Sequence, residues 1–302
     1  MANRKKSKSK KGSSQKPKAG GNDNSGLPGA QRRRNFKNFE KLADYAKGLV
    51  YLIVRLREED GQSYWQNLGT GFLIGKNRLM TCYHCINDEK HEDVAMAQHK
   101  DGDIYLMAQK DEHGGFHRVG MTATVGKELF LYPDIDTAIF HLDDSFYLVD
   151  GDYYKHPDMY LELSKEKKNI GSEMGILGYP FANLTFDAAG EVDLSEVYIR
   201  ADSGVINTSY QVEGMHVYES TTAFNPGNSG GPILDTKTGA VIGMVKGYRP
   251  VPMHWVEDVI PAGENGNEEE VKQTYRLRTI YSYGISSQTL VQLADDHQLA
   301  TN

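Results

Sequence analysis

Apolar residues follow two different periods along this chain of 302 residues. Near the start, six of them recur at three- and four-residue spacing: Phe36, Phe39, Leu42, Tyr45, Ala46 and Leu49. This is the period of one face of an α-helix, so it predicts a short amphipathic helix. Near the end, Leu290, Leu293 and Leu299 follow Ser286 and Ser287, which are suitable caps, and they predict a terminal helix over 287–299.

Between the two helices, short runs rich in β-branched and aromatic residues alternate with Gly, Asp and Asn. We expect strands at 49–54, 69–74, 78–81, 104–108, 138–142, 173–177, 196–201, 216–221, 232–234, 240–245 and 277–285. Many short strands at regular spacing are typical of antiparallel barrels or sandwiches. The sequence therefore predicts an all-β fold.

Two segments interrupt the strand pattern. Residues 143–169 are rich in Asp, Tyr and Lys, and we interpret them as a bridge between two halves of the fold. Residues 249–274 begin with prolines and continue as Gly-Glu-Asn-Gly-Asn-Glu-Glu-Glu. This composition predicts an acidic surface loop between two late strands.

Charge divides the chain into a basic arm and an acidic body. Residues 1–41 carry thirteen Lys or Arg against two acidic residues, a balance of +11, so a net charge of −7 leaves −18 for the remainder. Residues 1–35 have almost nothing to bury, which predicts a disordered tail. The basic residues between positions 4 and 37 are a candidate contact for nucleic acid or another anionic surface. A solubilising tail without a specific partner is the alternative.

The bulk features also indicate a compartment. There is no run of eighteen apolar residues, and no apolar segment follows the basic N-terminus, so neither a membrane span nor a signal peptide is predicted. Cys82 and Cys85 are the only cysteines and cannot link distant parts of the fold. We therefore expect a cytoplasmic protein, or a nuclear one in a eukaryote. A zinc site would need more ligands than Cys-Tyr-His-Cys offers, so no metal is predicted.

The stretch 224–232, Phe-Asn-Pro-Gly-Asn-Ser-Gly-Gly-Pro, sets one serine among glycines and prolines. This composition predicts a tight turn that holds the Ser229 hydroxyl outward. Such a turn can also direct the N–H groups of Gly227 and Ser229 to one point, as an oxyanion hole requires. Taken alone, the stretch fits an ordinary glycine-rich hairpin loop equally well.

A histidine and two acids precede this serine in the chain. His84 lies in Thr-Cys-Tyr-His-Cys, directly after a predicted strand, and Asp134 and Asp136 lie just before another. Taken alone, each has an ordinary structural interpretation. The histidine could be a surface residue or a core residue with its hydrogen bonds satisfied, and the acids could simply form the turn that starts a strand. In the order His, Asp, Ser they form a complete set for nucleophilic catalysis.

These motifs resemble those of chymotrypsin-fold, trypsin-like serine peptidases, and most closely the protease domain of the HtrA/Deg group. The matching stretches occur in the family's order, at 69–74, 81–85, 136–138, 178–181, 223–232 and 283–286. The resemblance covers roughly residues 45–295 and implies two six-stranded antiparallel β-barrels with the active site between them. Together with the predicted helices, this divides the chain into three parts. We expect a disordered tail over 1–35, a helix and the first barrel over 36–150, and the second barrel with the C-terminal helix over 151–302.

The resemblance also implies a role for each candidate residue. His84 would be the general base, Asp136 would hold the imidazole tautomer, and Ser229 would form an acyl-enzyme on a protein or peptide substrate. The N–H groups of Gly227 and Ser229 would stabilise the oxyanion. Asp134 is the rival acid, but only Asp136 stands directly before the Thr-Ala-Ile step that matches the family. No metal or organic cofactor is needed.

Departures from the family limit what is carried over. Asn228 replaces the Asp with which digestive trypsin-like enzymes bind a newly cut N-terminus, so that activation route is not expected. Chymotrypsin-type enzymes bridge the cysteine after the histidine to an earlier one that this chain lacks, so both thiols should be free. No PDZ module is recognised, and we expect instead a dedicated or regulated enzyme, with an activating partner acting at the 249–274 loop.

The substrate pocket is predicted from its resemblance to the family as Ala223, Phe224, Met244, Val245, Lys246 and Gly247. No carboxylate stands at its base, and Val245 replaces the His of glutamyl endopeptidases, which this chain also resembles. We therefore expect cleavage after small or medium apolar residues, with an acidic residue bound by Lys246 as the alternative. The alternative function is a catalytically silent binding protein, tethered to nucleic acid or membrane by its tail. A viral or mobile-element protease is an alternative origin.

Overall fold

The computed structural model describes most of the chain outside its basic arm. The residues it describes are 35–59, 62–86, 104–109, 116–121, 129–142, 147–149, 152–154, 157–180, 185–186, 192–193, 197–260 and 271–296. The predicted disordered tail, and almost all of the basic residues proposed to bind an anionic surface, lie outside these residues. Among those described, no helix is both long and apolar enough to cross a membrane.

Two helices flank a series of strands in this part of the chain. The helices are α1 (Phe39–Ala46) and α2 (Ser287–Asp296). The strands of the N-terminal half are β1 (Val50–Glu59), β2 (Gln62–Gly75), β3 (Arg78–Thr81), β4 (Ile104–Gln109), β5 (Phe116–Met121), β6 (Leu129–Tyr132), β7 (Thr137–His141), β8 (Tyr147–Val149) and β9 (Asp152–Tyr154). Those of the C-terminal half are β10 (Glu173–Gly178), β11 (Thr185–Phe186), β12 (Val192–Asp193), β13 (Arg200–Val212), β14 (Met215–Ser220), β15 (Pro232–Asp235), β16 (Val241–Ile260) and β17 (Val271–Ser286).

The strands form two main antiparallel sheets. In the first, the strand order is β5-β4-β1-β2-β3-β7-β6, and the second is a closed six-stranded barrel in the order β10-β13-β14-β17-β16-β15. The predicted all-β class is confirmed, although the first sheet has seven strands where six were expected. The division of the chain at residue 150 stays a prediction.

Both predicted helices are present, and both begin at a side-chain cap. The Asn38 side chain accepts a hydrogen bond from the Lys41 N–H (3.2 Å), and a 3₁₀ turn over Lys47–Leu49 leads from α1 into β1. At α2, the Ser286 hydroxyl accepts from the Gln288 N–H (3.3 Å), as the predicted serine cap requires. Asn and Ser are preferred at this position because their side chains satisfy N–H groups left unpaired in the first turn.

The prediction of a surface loop over residues 249–274 is wrong at both ends of that range, where the chain forms strands. There β16 and β17 continue as one long hairpin whose last pair is Ile260 with Val271, and only residues 261–270 lie outside the described part. Beyond Val245, β17 is the one strand that β16 pairs with in the part of the chain that the structure describes. Proline lacks a backbone donor but is tolerated on such an edge strand, so the prolines did not end the strand. Likewise, β13 starts at Arg200 rather than at 196.

One hydrophobic core joins the two halves and α1. Leu42 and Ala46 of α1 are fully buried together with strands of the first sheet and with Leu177 and Leu234 of the barrel. A smaller cluster fills the barrel itself and includes Phe224 and Val245. The loops at the ends of these strands are therefore held by packing on both sides.

Candidate active site

The pairing of β3 with β7 brings His84 and Asp136 together. Thr81, the last residue of β3, pairs with Ala138 near the start of β7. His84 follows β3 in a 3₁₀ turn over Tyr83–Cys85, and Asp136 immediately precedes β7 in a left-handed conformation (φ 49°). Asp is among the non-glycine residues that tolerate this conformation. The antiparallel register thus places the two turns at the same edge of the sheet.

The Asp136 carboxylate binds His84 at two points. Its Oδ1 accepts from the His84 backbone N–H (2.9 Å), and the ring Nδ1 lies 3.0 Å from Oδ1 and 2.9 Å from Oδ2. The Asp136 side chain is only 11% exposed, whereas that of His84 is 41% exposed. Asp134 is exposed. Of the two candidate acids, the structure brings only Asp136 to the histidine.

This environment raises the pKa of His84. Burial alone disfavours the charged imidazolium and would lower the pKa. The hydrogen bond and negative charge of Asp136, together with the neighbouring Cys85, outweigh burial and raise the pKa of His84 above its ordinary value. A histidine held in this way can accept a proton and remain stabilised as the cation.

The loop over residues 225–230 turns sharply because of two glycines. The Asn228 N–H donates to the Asn225 carbonyl (3.0 Å), with Pro226 and then Gly227 (φ 95°) between them. Proline followed by a residue of positive φ is the sequence of a type II turn. A Cβ on Gly227 would lie 2.3 Å from the Tyr179 carbonyl oxygen, and one on Gly230 (φ 82°) 2.2 Å from that of Thr70. Only glycine fits at either position.

Thr70 holds this loop in place, a role that the sequence did not reveal. Its N–H donates to the Ser229 carbonyl (2.8 Å), and its hydroxyl donates to the Gly227 carbonyl (2.6 Å) and accepts from the Tyr179 N–H (3.1 Å). Thr70 is fully buried. The available signal was a threonine between Gly69 and Gly71, within the otherwise apolar stretch 68–74.

The Ser229 hydroxyl lies on the barrel side of the site. It donates to the Lys246 carbonyl (3.1 Å), and no hydrogen bond joins it to His84 in the described structure. The N–H groups of Asn228, Gly230 and Gly231 donate to backbone carbonyls. Those of Gly227 and Ser229 have no hydrogen-bond acceptor among the residues described.

Two free, buried thiols flank the histidine, as predicted. Burial raises the pKa of the Cys82 thiol, which donates to the Val245 carbonyl (3.2 Å). The hydrogen bond from Cys82 and the proximity of His84 lower the pKa of Cys85 to about 6. Cys82, His84 and Asp136 each offer a metal-ligand atom within 4.8 Å of the others. In the structure these atoms are engaged in hydrogen bonds, Cys82 with the Val245 carbonyl and Asp136 with His84.

The predicted pocket residues take different positions. Phe224, Met244 and Val245 are buried, Ala223 is exposed and Gly247 is half-buried. Lys246 lines a cavity of about 170 Å³, whose other walls are Tyr210, Val212, Glu213, Met215, Val217 and Tyr283. The Lys246 ammonium lies 3.7 Å from Asp136 Oδ2. Its side chain therefore contacts the acid beside His84.

Comparison with known proteins gives a family match and similar solved structures. The family described as "Trypsin-like peptidase domain" matches residues 69–244, more than half of the chain. An inactive serine-to-alanine mutant of Rv3671c from M. tuberculosis H37Rv is similar in structure, with 18% identity and a TM-score of 0.44 over 84% of this chain and 89% of that one. The active form of the Rv3671c protease from M. tuberculosis has 17% identity and a TM-score of 0.48 over 84% and 82%.

Proposed function

Because the chain belongs to the trypsin-like peptidase family, we propose that it is a serine endopeptidase that acts through Ser229, His84 and Asp136. The observation that carries the proposal is the double contact of Asp136 with the ring and the backbone N–H of His84. This contact fixes the proton on Nδ1 and leaves Nε2 as the nitrogen that accepts a proton. Protein or peptide substrates follow from the family.

In the proposed reaction, Ser229 attacks the scissile carbonyl while His84 takes its hydroxyl proton. Asp136 stabilises the imidazolium that forms, and His84 then returns the proton to the leaving amine. Water releases the acyl group by the same steps in reverse order. The unbonded N–H groups of Gly227 and Ser229 would stabilise the oxyanion.

The resting position of Ser229 requires one rearrangement before attack. Its hydroxyl donates to the Lys246 carbonyl, and rotation about its χ1 angle would redirect it to His84. Catalytic hydrogen bonds are often long or absent in the free enzyme and form in the substrate complex. The turn at Pro226–Gly227 has the sequence and the positive φ of a type II turn, which orients the peptide plane that carries the Gly227 N–H.

We predict that fluorophosphonate probes label the native protein at Ser229. Ser229→Ala should abolish labelling, because a fluorophosphonate reacts only with a serine activated by a base. Ser203→Ala is the matched control, since Ser203 is an exposed serine of β13, and it should label normally. Mass spectrometry of the labelled peptide identifies the site. Absence of labelling in folded native protein, with no cleavage of a peptide library, would favour the silent binding protein instead.

We also propose cleavage after small or medium apolar residues. The Lys246 ammonium contacts Asp136 and is not free to bind an acidic substrate residue, which argues against the acidic alternative. Profiling of the native enzyme on a peptide library should therefore show Ala, Val or similar residues before the scissile bond. Dominant cleavage after Arg, Lys or Glu would refute this specificity.

The remaining proposals concern location and partners. Two free thiols beside His84 suit a reducing compartment, so we propose a cytoplasmic or nuclear enzyme. The basic residues between positions 4 and 37 would bind nucleic acid or another anionic surface. An activating partner would act at residues 249–274.

A further inference from the structure

Lys246 contacts both outer members of the proposed triad. Its backbone carbonyl accepts the hydrogen bond of the Ser229 hydroxyl (3.1 Å), and its ammonium lies 3.7 Å from Asp136 Oδ2. The side chain is 22% exposed, so this contact is partly shielded from water. The same Oδ2 atom lies 2.9 Å from Nδ1 of His84. One residue therefore spans the site from nucleophile to acid.

A β-bulge directs Lys246 to this place. In the pairing of β16 with β17, Val245 lies opposite Gly284 and Gly247 opposite Tyr283, and the register shifts between them. Lys246 is the extra residue, without a partner of its own in the ladder. Bulges re-aim a side chain and are common beside active sites. On a regular strand, successive side chains point to opposite faces, so the Lys246 side chain would point to the face opposite that of buried Val245.

The charges around His84 act in opposite directions. Asp136 and Cys85 raise its pKa and so favour the imidazolium. Cys82, whose Sγ lies within 4.8 Å of His84 and Asp136, has a pKa raised by burial, which favours the neutral thiol. The Lys246 ammonium is the one cation that the structure places on the Asp136 carboxylate, apart from His84 itself, among the residues described. Glu213 lines the cavity along the lysine stem and is exposed.

We propose that Lys246 is a positioning residue of the peptidase reaction, which holds Asp136 in place and offsets part of its negative charge, so that the imidazolium of His84 is less favoured at rest. The inference rests on the proposed function. The ammonium lies 3.7 Å from the same carboxylate oxygen that binds Nδ1, and nearby like charges disfavour each other, so it opposes the imidazolium that Asp136 favours. His84 must be neutral to accept the serine proton. Lys246 thus enlarges the fraction of enzyme that is ready to react near neutral pH.

The decisive measurement is the pH dependence of kcat/KM for Lys246→Met compared with the native enzyme. Methionine keeps most of the apolar stem and removes the charge. The acid limb of the profile should move to higher pH by about one unit, because the imidazolium of His84 is no longer disfavoured by the Lys246 ammonium. Activity at neutral pH should fall roughly tenfold and recover at high pH. Lys246→Arg keeps the cation and should leave the acid limb near its native position.

Two controls separate this role from a structural one. Lys168→Met removes a lysine that pairs with Asp235 outside the site (2.5 Å), and its acid limb should be unchanged. An equal loss of activity at every pH in Lys246→Met, or the same profile in Lys246→Met and Lys246→Arg, would overturn the proposal.

A second readout does not need enzyme activity. In the Ser229→Ala background, NMR titration of labelled histidine reports the pKa of His84 directly, with His84→Gln to assign its signal. Adding Lys246→Met should raise that pKa by about one unit. An unchanged pKa would refute the role of Lys246 even if the enzyme is active. A raised pKa in a protein without peptidase activity would refute the proposed function alone.

Discussion

Asp136 and Asp134 are chemically identical neighbours with different surroundings. Asp136 is buried with both carboxylate oxygens on His84, and Asp134 is exposed. We predict that Asp136→Asn lowers kcat roughly a thousandfold or more, because the amide no longer fixes the Nδ1 proton or stabilises the imidazolium. Asp134→Asn, two residues away, is the matched control and should keep native activity.

The same variant has a defined effect on pH dependence. Asp136 raises the pKa of His84 against the opposing effect of burial, so removal of its charge leaves burial less opposed. The residual activity of Asp136→Asn should therefore show an acid limb at lower pH than the native profile, opposite to the shift expected for Lys246→Met. Titration of the His84 NMR signal checks the sign, and a rise in its pKa would contradict the argument.

Residue identity alone could indicate His84, Asp136 and Ser229, because the chemistry of each depends on its type. It could not indicate what the neighbouring residues do. Thr70 braces the serine loop through contacts with residues more than a hundred positions away, and no local pattern encodes such contacts. Lys246 was predicted as a substrate-pocket residue, and its contact with Asp136 was not predicted. Its direction depends on a bulge, which the strand period does not reveal.

Among the secondary-structure elements, the spacing of apolar residues and the capping residues predicted the helices, which depend on local sequence. The helix spacing located α1 and α2 to within a few residues, since the caps at Asn38 and Ser286 mark where each begins. The extended β16–β17 hairpin was missed because prolines and acidic residues normally end strands. Here pairing with a single neighbour removes that restriction, and pairing partners are not visible in the sequence.

At the scale of the whole molecule, the proposed site depends on both sheets being held together. His84 and Asp136 lie on the first sheet and Ser229 lies on the barrel, while one core cluster joins these sheets to α1. Helix α1 also contacts the barrel directly. A Cβ on Gly175 of β10 would lie 2.0 Å from the Phe39 ring, and the Phe36 N–H donates to the Lys237 carbonyl (2.9 Å). The helix therefore packs across the junction that the site needs.

We predict that Leu42→Ala lowers the free energy of unfolding by about 3 kcal/mol, because Leu42 is fully buried in the shared core and its loss leaves a cavity. Lys41→Ala, at the exposed neighbouring position of α1, should change it by less than about 0.5 kcal/mol. Urea titration followed by circular dichroism and by fluorophosphonate labelling measures both effects. Since one core supports both sheets, the two signals should be lost at the same urea concentration in the native protein and in Leu42→Ala. Loss of labelling well before loss of β-structure would show that the two sheets separate before either unfolds, and that α1 does not couple them.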